Sequence, residues 1–275
     1  MTLAALLLTA CTATRLAYNQ APTLSYWWID KYVDLNEAQS VKTREDVGAF
    51  FRWHRRQELP TYANLLRQWQ GMTPDNVTAA QACAQFEDIR QRLDRAAAET
   101  VEPLARLALQ LNAEQLDNLK EQQAKSNEEF EKDFLRGSPE QRLRKRVDKA
   151  IDRSEPFYGT LSTEQRELLR SLLQQSPFDP QRTQTERLRR QADLLQTVRD
   201  VQATPAKAEQ LVREHIARIR QSPAPGYDAY NQELVRAGCA QFATMHNSTT
   251  PEQRAKAVIA LKGYENDLRT LSAQR

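Results

Sequence analysis

Glycine is scarce in this chain, at seven of 275 residues, and apolar residues rarely alternate with polar ones. No GxGxxG turn, phosphate-binding loop or GxSxG elbow occurs. Histidine is equally sparse. His54, His215 and His246 lie far apart, and there is no HExxH, no CxxC and no acidic calcium loop. These gaps remove the commonest nucleotide, metal and serine-hydrolase chemistries, so no cofactor, metal site or catalytic residue is expected. Charge of one sign is not in excess either: 39 Lys and Arg against 36 Asp and Glu leave a net +3, with the signs interspersed. Such a surface has no global field to steer a polyanion, and nucleic acid is not an expected partner. No apolar run reaches the roughly 20 residues that span a bilayer. What is abundant is Ala, Leu, Gln, Glu and Arg, the strong helix formers. The fold class expected is all-α.

The chain begins MTLAALLLTA and continues with Cys11. The apolar run ending Leu8-Thr9-Ala10-Cys11 resembles a bacterial lipoprotein signal. That resemblance implies cleavage before Cys11, acylation of Cys11 by a fatty acid such as palmitate, and a place in the cell envelope. With Thr12 rather than Asp after the cysteine, it implies the outer membrane, facing the periplasm. The organisation expected is a signal segment at 1–10, a lipidated cysteine and short flexible tether at 11–22, and one helical domain at 23–275. A Pro- and Gly-marked loop at 222–226 sets off residues 222–275 as a C-terminal helical hairpin. Cys83 and Cys239 remain, both on apolar helical stripes. In an oxidising compartment they either form a disulfide or stay as two buried thiols.

Helix starts repeat along the chain. Asn36–Gln39, Asn112–Gln115, Ser138–Gln141, Ser162–Gln165 and Thr250–Gln253 each place a short polar residue three before a glutamine. This is a capping box, in which two side chains satisfy two orphan N–H groups reciprocally. Pro139 and Pro251 fall at the first helical position, where a missing N–H costs nothing. Between the boxes apolar residues recur at three- and four-residue steps. One stripe runs from Val47 to Trp69 through Pro60, and reads as a single kinked helix. Another runs Val77, Cys83, Phe86, Ile89, Leu93, Val101 and Leu104. About ten helices, packed as antiparallel hairpins in a multi-helix and elongated bundle, account for the pattern.

Three groups of residues invite a functional reading. Tyr26, Trp27 and Trp28 form the most aromatic stretch, close after Cys11. They either face lipid headgroups, which suit Trp and Tyr, or pack on the body. His54 and Glu58 are four apart on an otherwise apolar stripe, flanked by Arg55 and Arg56. They make either a pocket with an acid–base pair or a buried polar pair at the Pro60 kink. The neighbouring carboxylate is expected to favour protonated His54, and Arg55 or Arg56 to balance Glu58. Finally Arg142, Arg146, Lys149 and Arg153 line one side of a helix. That basic face serves either phosphates or acidic partners, or is paired with the nearby run Glu128, Glu129, Glu131 and Asp133.

Two resemblances accompany these readings. Leu35–Gln39, Leu111–Gln115 and Leu161–Gln165 resemble the LTxxQ element of Spy- and CpxP-type periplasmic proteins, which implies chaperone-like or envelope-stress activity. The lipoprotein box, Arg15–Asn19, Tyr32–Leu35 and Trp53–Pro60 together resemble an uncharacterised family of Gram-negative lipoproteins. It implies an all-helical fold and brings no activity. The function expected is that of a non-enzymatic, lipid-anchored periplasmic protein that binds other proteins. A scaffold lipoprotein of an envelope assembly is the alternative, and a hydrolase using His54 and Glu58 the second.

Overall fold

The computed structural model describes residues 3–274, with side chains from residue 13 onward. Among the described residues there are twelve α-helices and no strands. They are α1 (Leu3–Val33), α2 (Glu37–Gln57), α3 (Leu59–Met72), α4 (Ala79–Glu99), α5 (Val101–Ala108) and α6 (Ala113–Phe134). After them come α7 (Pro139–Tyr158), α8 (Thr163–Gln174), α9 (Pro180–Ala203), α10 (Ala208–Arg220), α11 (Tyr227–Asn247) and α12 (Pro251–Ala273).

All five capping boxes form with both reciprocal bonds, and Thr78–Gln81 at the start of α4 makes a sixth. Prolines explain why twelve helices stand where about ten were expected. Pro103 has no N–H for the Glu99 carbonyl and its ring crowds that oxygen. The long stripe therefore breaks at Thr100 into α4 and α5. Pro60 does the same to Arg56, giving α2 and α3 instead of one helix. The chain stays helical through Glu58, whose N–H donates to His54 O and whose carbonyl accepts from Tyr62 N–H, each at 2.9 Å.

The halves α1–α6 and α7–α12 repeat one packing scheme. α1 pairs with α2 as α7 pairs with α8, and α6 returns to α1 as α12 returns to α7. The middle helices cross over: α3 packs on α12 as α9 packs on α6, and α4 lies on α11 as α10 lies on α5. Each half is thus completed by the other. Residues 222–275 are accordingly not a self-contained hairpin, since α11 rests on α4 and α8 while α12 rests on α3, α7 and α1. Two apolar clusters fill the interior. One joins Val101, Ala105, Val198, Val201 and Val212 from α5, α9 and α10, and the other joins Val147, Ile151, Leu169, Met245 and Ala257 from α7, α8, α11 and α12.

The capping glutamines tie the repeat together. Gln39 and Gln115 exchange bonds between their carboxamides, at 2.6 and 3.3 Å. Each oxygen also accepts its own cap N–H, and each nitrogen donates to the carbonyl two residues before the partner's cap, Gln110 O and Asp34 O. Gln165 and Gln253 do the same at 2.7 and 3.0 Å, reaching Ser248 O and Thr160 O. Just before the α2 and α8 caps the chain reverses through left-handed backbone, at Asp34 (φ 58°) and Gly159 (φ 73°). Asp and Gly tolerate that conformation best.

Residues 13–22, expected as a flexible tether, belong to α1. They pack because their polar groups find partners: Arg15 pairs with Asp267 at 3.2 Å, the Tyr18 hydroxyl meets His54 Nδ1 at 2.9 Å, and Asn19 accepts from Arg55 at 2.8 Å.

Candidate ligand-binding cleft

A cavity of about 850 Å³ lies between α3, α4, α7, α8, α11 and α12. Trp69, Phe86, Ile89, Phe157, Leu172, Leu173 and Phe242 are among the side chains that line it. At the equivalent place in the first half, between α1, α2 and α5, the space is only about 220 Å³.

The larger cleft owes its width to α4. The apolar stripe of that helix has the phase of a core face, yet no α4 residue is buried, and Phe86 and Leu93 are 47 % and 59 % exposed. Fasteners hold α4 instead. Cys83 is bonded to Cys239 of α11 across 156 residues. Gln85 accepts from the Trp69 indole, Asp94 pairs with Arg220 at 2.7 Å, and Arg92 and Arg95 approach Glu58 at 3.9 and 3.4 Å.

Most polar groups in the cleft are satisfied within the protein. His246 Nε2 lies 2.9 Å from Asp75 O, and a carbonyl only accepts, so this nitrogen carries the proton. Nδ1 then accepts from the Tyr158 hydroxyl at 2.9 Å. Burial lowers the His246 pKa, against the Asp75 carbonyl, and pushes Tyr158 up to about 12. Both groups are neutral at physiological pH.

The sequence-derived candidates separate. Cys11 lies outside the residues whose side chains are described. Cys83 and Cys239 meet as a disulfide on the cleft wall. The aromatic trio splits: Tyr26 is 5 % exposed, donates to Ser40 Oγ and carries Arg44 on its ring, whereas Trp27 and Trp28 are 58 % and 61 % exposed. Helical spacing puts Tyr26 on the α2 side and its neighbours on the other.

His54 is enclosed by the rings of Tyr18, Phe50, Phe51 and Tyr62. Its pKa is lowered, because burial outweighs the charge of Glu58; the protonated form expected from the sequence is disfavoured. Glu58 is fully buried and turns to Arg92 and Arg95, not to Arg55 or Arg56. Arg55 reaches Asn19 and Gln274, and Arg56 is exposed. The pair therefore sits in a packed joint between α1, α2 and α4. The basic face of α7 also divides. Lys149 pairs with Asp133 at 2.8 Å, Arg142 donates to backbone carbonyls, Arg146 lies over Phe178, and Arg153 lines the cleft.

A family model described as "Family of unknown function (DUF6279)" matches residues 31–217. The chain belongs to this family. The match spans α2 through most of α10 and leaves α11 and α12, which carry Cys239 and Gln253, beyond it. No curated protein and no solved structure matches the chain.

Little in the sequence announces the cleft. Its lining comes from six helices, and the α4 stripe reads like any buried one. Gly238, a helix-interior glycine beside Cys239, is a local mark of its lining.

Proposed function

We propose that this DUF6279 member is a lipid-anchored periplasmic protein, tethered to the outer membrane through Cys11, that binds other proteins in a chaperone-like manner and has no catalytic role. The observation that carries the binding reading is the outer face of α1. Leu16, Leu24, Trp27 and Trp28 are all more than half exposed along it. Large apolar side chains left contiguous in water mark interaction sites. The packed surroundings of His54 and Glu58 favour a structural role for that pair over hydrolysis.

Aggregation suppression tests the reading. The full chain with Cys11→Ser is mixed with an unfolding client and light scattering is followed. Dose-dependent suppression that falls with Trp27→Gln and Trp28→Gln is the expected result. Suppression indifferent to both substitutions, or none at all, defeats it and favours the scaffold alternative. A second reading puts the same face on lipid headgroups, favoured by its closeness to Cys11 and by the preference of Trp for the interface. Flotation with phosphatidylglycerol vesicles, lost in the same variants, distinguishes it. Cell fractionation of Cys11→Ser tests the anchor, and unchanged membrane association contradicts it.

A further inference from the structure

We infer that the cleft lined by α4, α7 and α11 is a binding site for a single long acyl chain with an anionic head, a ligand independent of the protein-binding surface on α1. About 850 Å³ falls within the size range of sites that enclose small ligands. The choice of ligand follows from the polar groups. Tyr158 and His246 satisfy each other and Asp75 O, Gln241 donates to Leu172 O, Thr73 to Trp69 O and Ser154 to Ala150 O. An extended peptide would bring one N–H and one C=O per residue into this lining and find those partners taken. A peptide helix satisfies itself but is about 10 Å across, too thick for more than a turn or two in such a volume. A hydrocarbon chain makes no polar demand, and burying it removes apolar surface of ligand and lining together from water.

One charged side chain of the lining is left over. Arg153 on α7 is exposed, lines the cleft, and has no ion-pair partner among the described residues. A guanidinium there suits a carboxylate or phosphate head at the mouth, with the chain running inward along Phe157. On the α11 wall the lining is cut away at Gly238, where an added Cβ would meet nothing within 4 Å. A glycine inside a helix costs stability relative to alanine, and Gly238 lines the cleft beside the disulfide-bonded Cys239. Because nothing crowds that position, a large side chain placed there plugs the cleft without displacing backbone.

The test uses the full chain carrying Cys11→Ser, so that no N-terminal lipid competes. Binding of the fluorescent fatty acid cis-parinaric acid is titrated, and palmitate, hexadecanol and an apolar peptide are used as displacers. Saturable binding of one equivalent, displaced by palmitate and not by the peptide, is expected. Gly238→Phe and, one turn earlier, Val235→Trp each weaken it by at least about tenfold while far-UV circular dichroism stays unchanged. Arg153→Glu weakens palmitate several-fold and leaves hexadecanol as it was, a split that needs neither plug variant. Binding that survives both folded plugs overturns the site. Equal effects of Arg153→Glu on palmitate and hexadecanol overturn the anionic head, and displacement by the peptide alone overturns the ligand class.

Discussion

α4 and α10 hold equivalent places in the two halves and are attached in opposite ways. α10 buries Ala208, Val212 and His215, packing into a cluster with Val101, Val198 and Val201. His215 Nδ1 lies 2.7 Å from Asp193, which also takes Arg218. α4 buries no residue and is held by a disulfide, a buried glutamate facing two arginines, and scattered polar contacts. α10 sits inside an apolar cluster, whereas the apolar side of α4 lines a cleft of about 850 Å³. Fastening in place of packing lets one copy of a repeated scheme keep an interior surface available.

Removing the fastener should have the largest effect. Cys83→Ser with Cys239→Ser should lower stability by up to roughly 5 kcal/mol, the chain-entropy value for so long a loop. Urea unfolding against the oxidised parent measures it. The repeated joints come next. Gln39→Ala or Gln165→Ala strands buried donors and acceptors of the partner glutamine and should cost about 2–3 kcal/mol. Gln141→Ala, in a box that stands exposed, should cost about 1 kcal/mol. Val212→Ala in α10 should cost about 2 kcal/mol, and Leu93→Ala in α4 no more than about 0.5 kcal/mol. Equal costs at these last two positions would erase the contrast between the helices.

Acid should sharpen the same contrast. His54, His215 and His246 all have pKa values lowered chiefly by burial, so the folded state binds their protons less readily than the unfolded chain. Their contribution is complete above the unfolded value of 6.5 and is lost as pH falls through the lower folded values. Glu186 of α9 follows at lower pH. Burial opposes its ionisation, but hydrogen bonds from Arg189, Arg190 and Ser222 prevail and hold it at about 2. Glu265, bonded by Gln70 and Arg269, is also at about 2. Both carboxylates contribute fully above 4.5 and cease to as pH drops to about 2. His215 and Glu186 serve the α9–α10 side, so His215→Gln should flatten the fall in Tm between pH 7 and pH 5. An unaltered slope would remove His215 from this account.

The helices were legible because local chemistry writes them. Every capping box read from the sequence forms, since the bonds lie within four residues. The sixth, at Thr78, forms by the same local bonds. The pairing of Gln39 with Gln115 and of Gln165 with Gln253 spans 76 and 88 residues and exists only after folding. The exposure of α4 was hidden for a related reason. Phe86 and Leu93 keep the phase of a core stripe, and periodicity reports which side is apolar, not whether another helix covers it. The Cys83–Cys239 bridge was half legible: the pair was visible, while its place on a cleft wall was not.

Hydrogen exchange of α4 and α10, measured side by side with and without the disulfide, tests the central claim most directly. With Cys83 and Cys239 replaced by serine, amides of α4 should lose most of their protection while those of α10 keep theirs. Undiminished protection of α4 without the bridge would mean that packing holds this helix after all, and that the cleft is not kept open by its fastener.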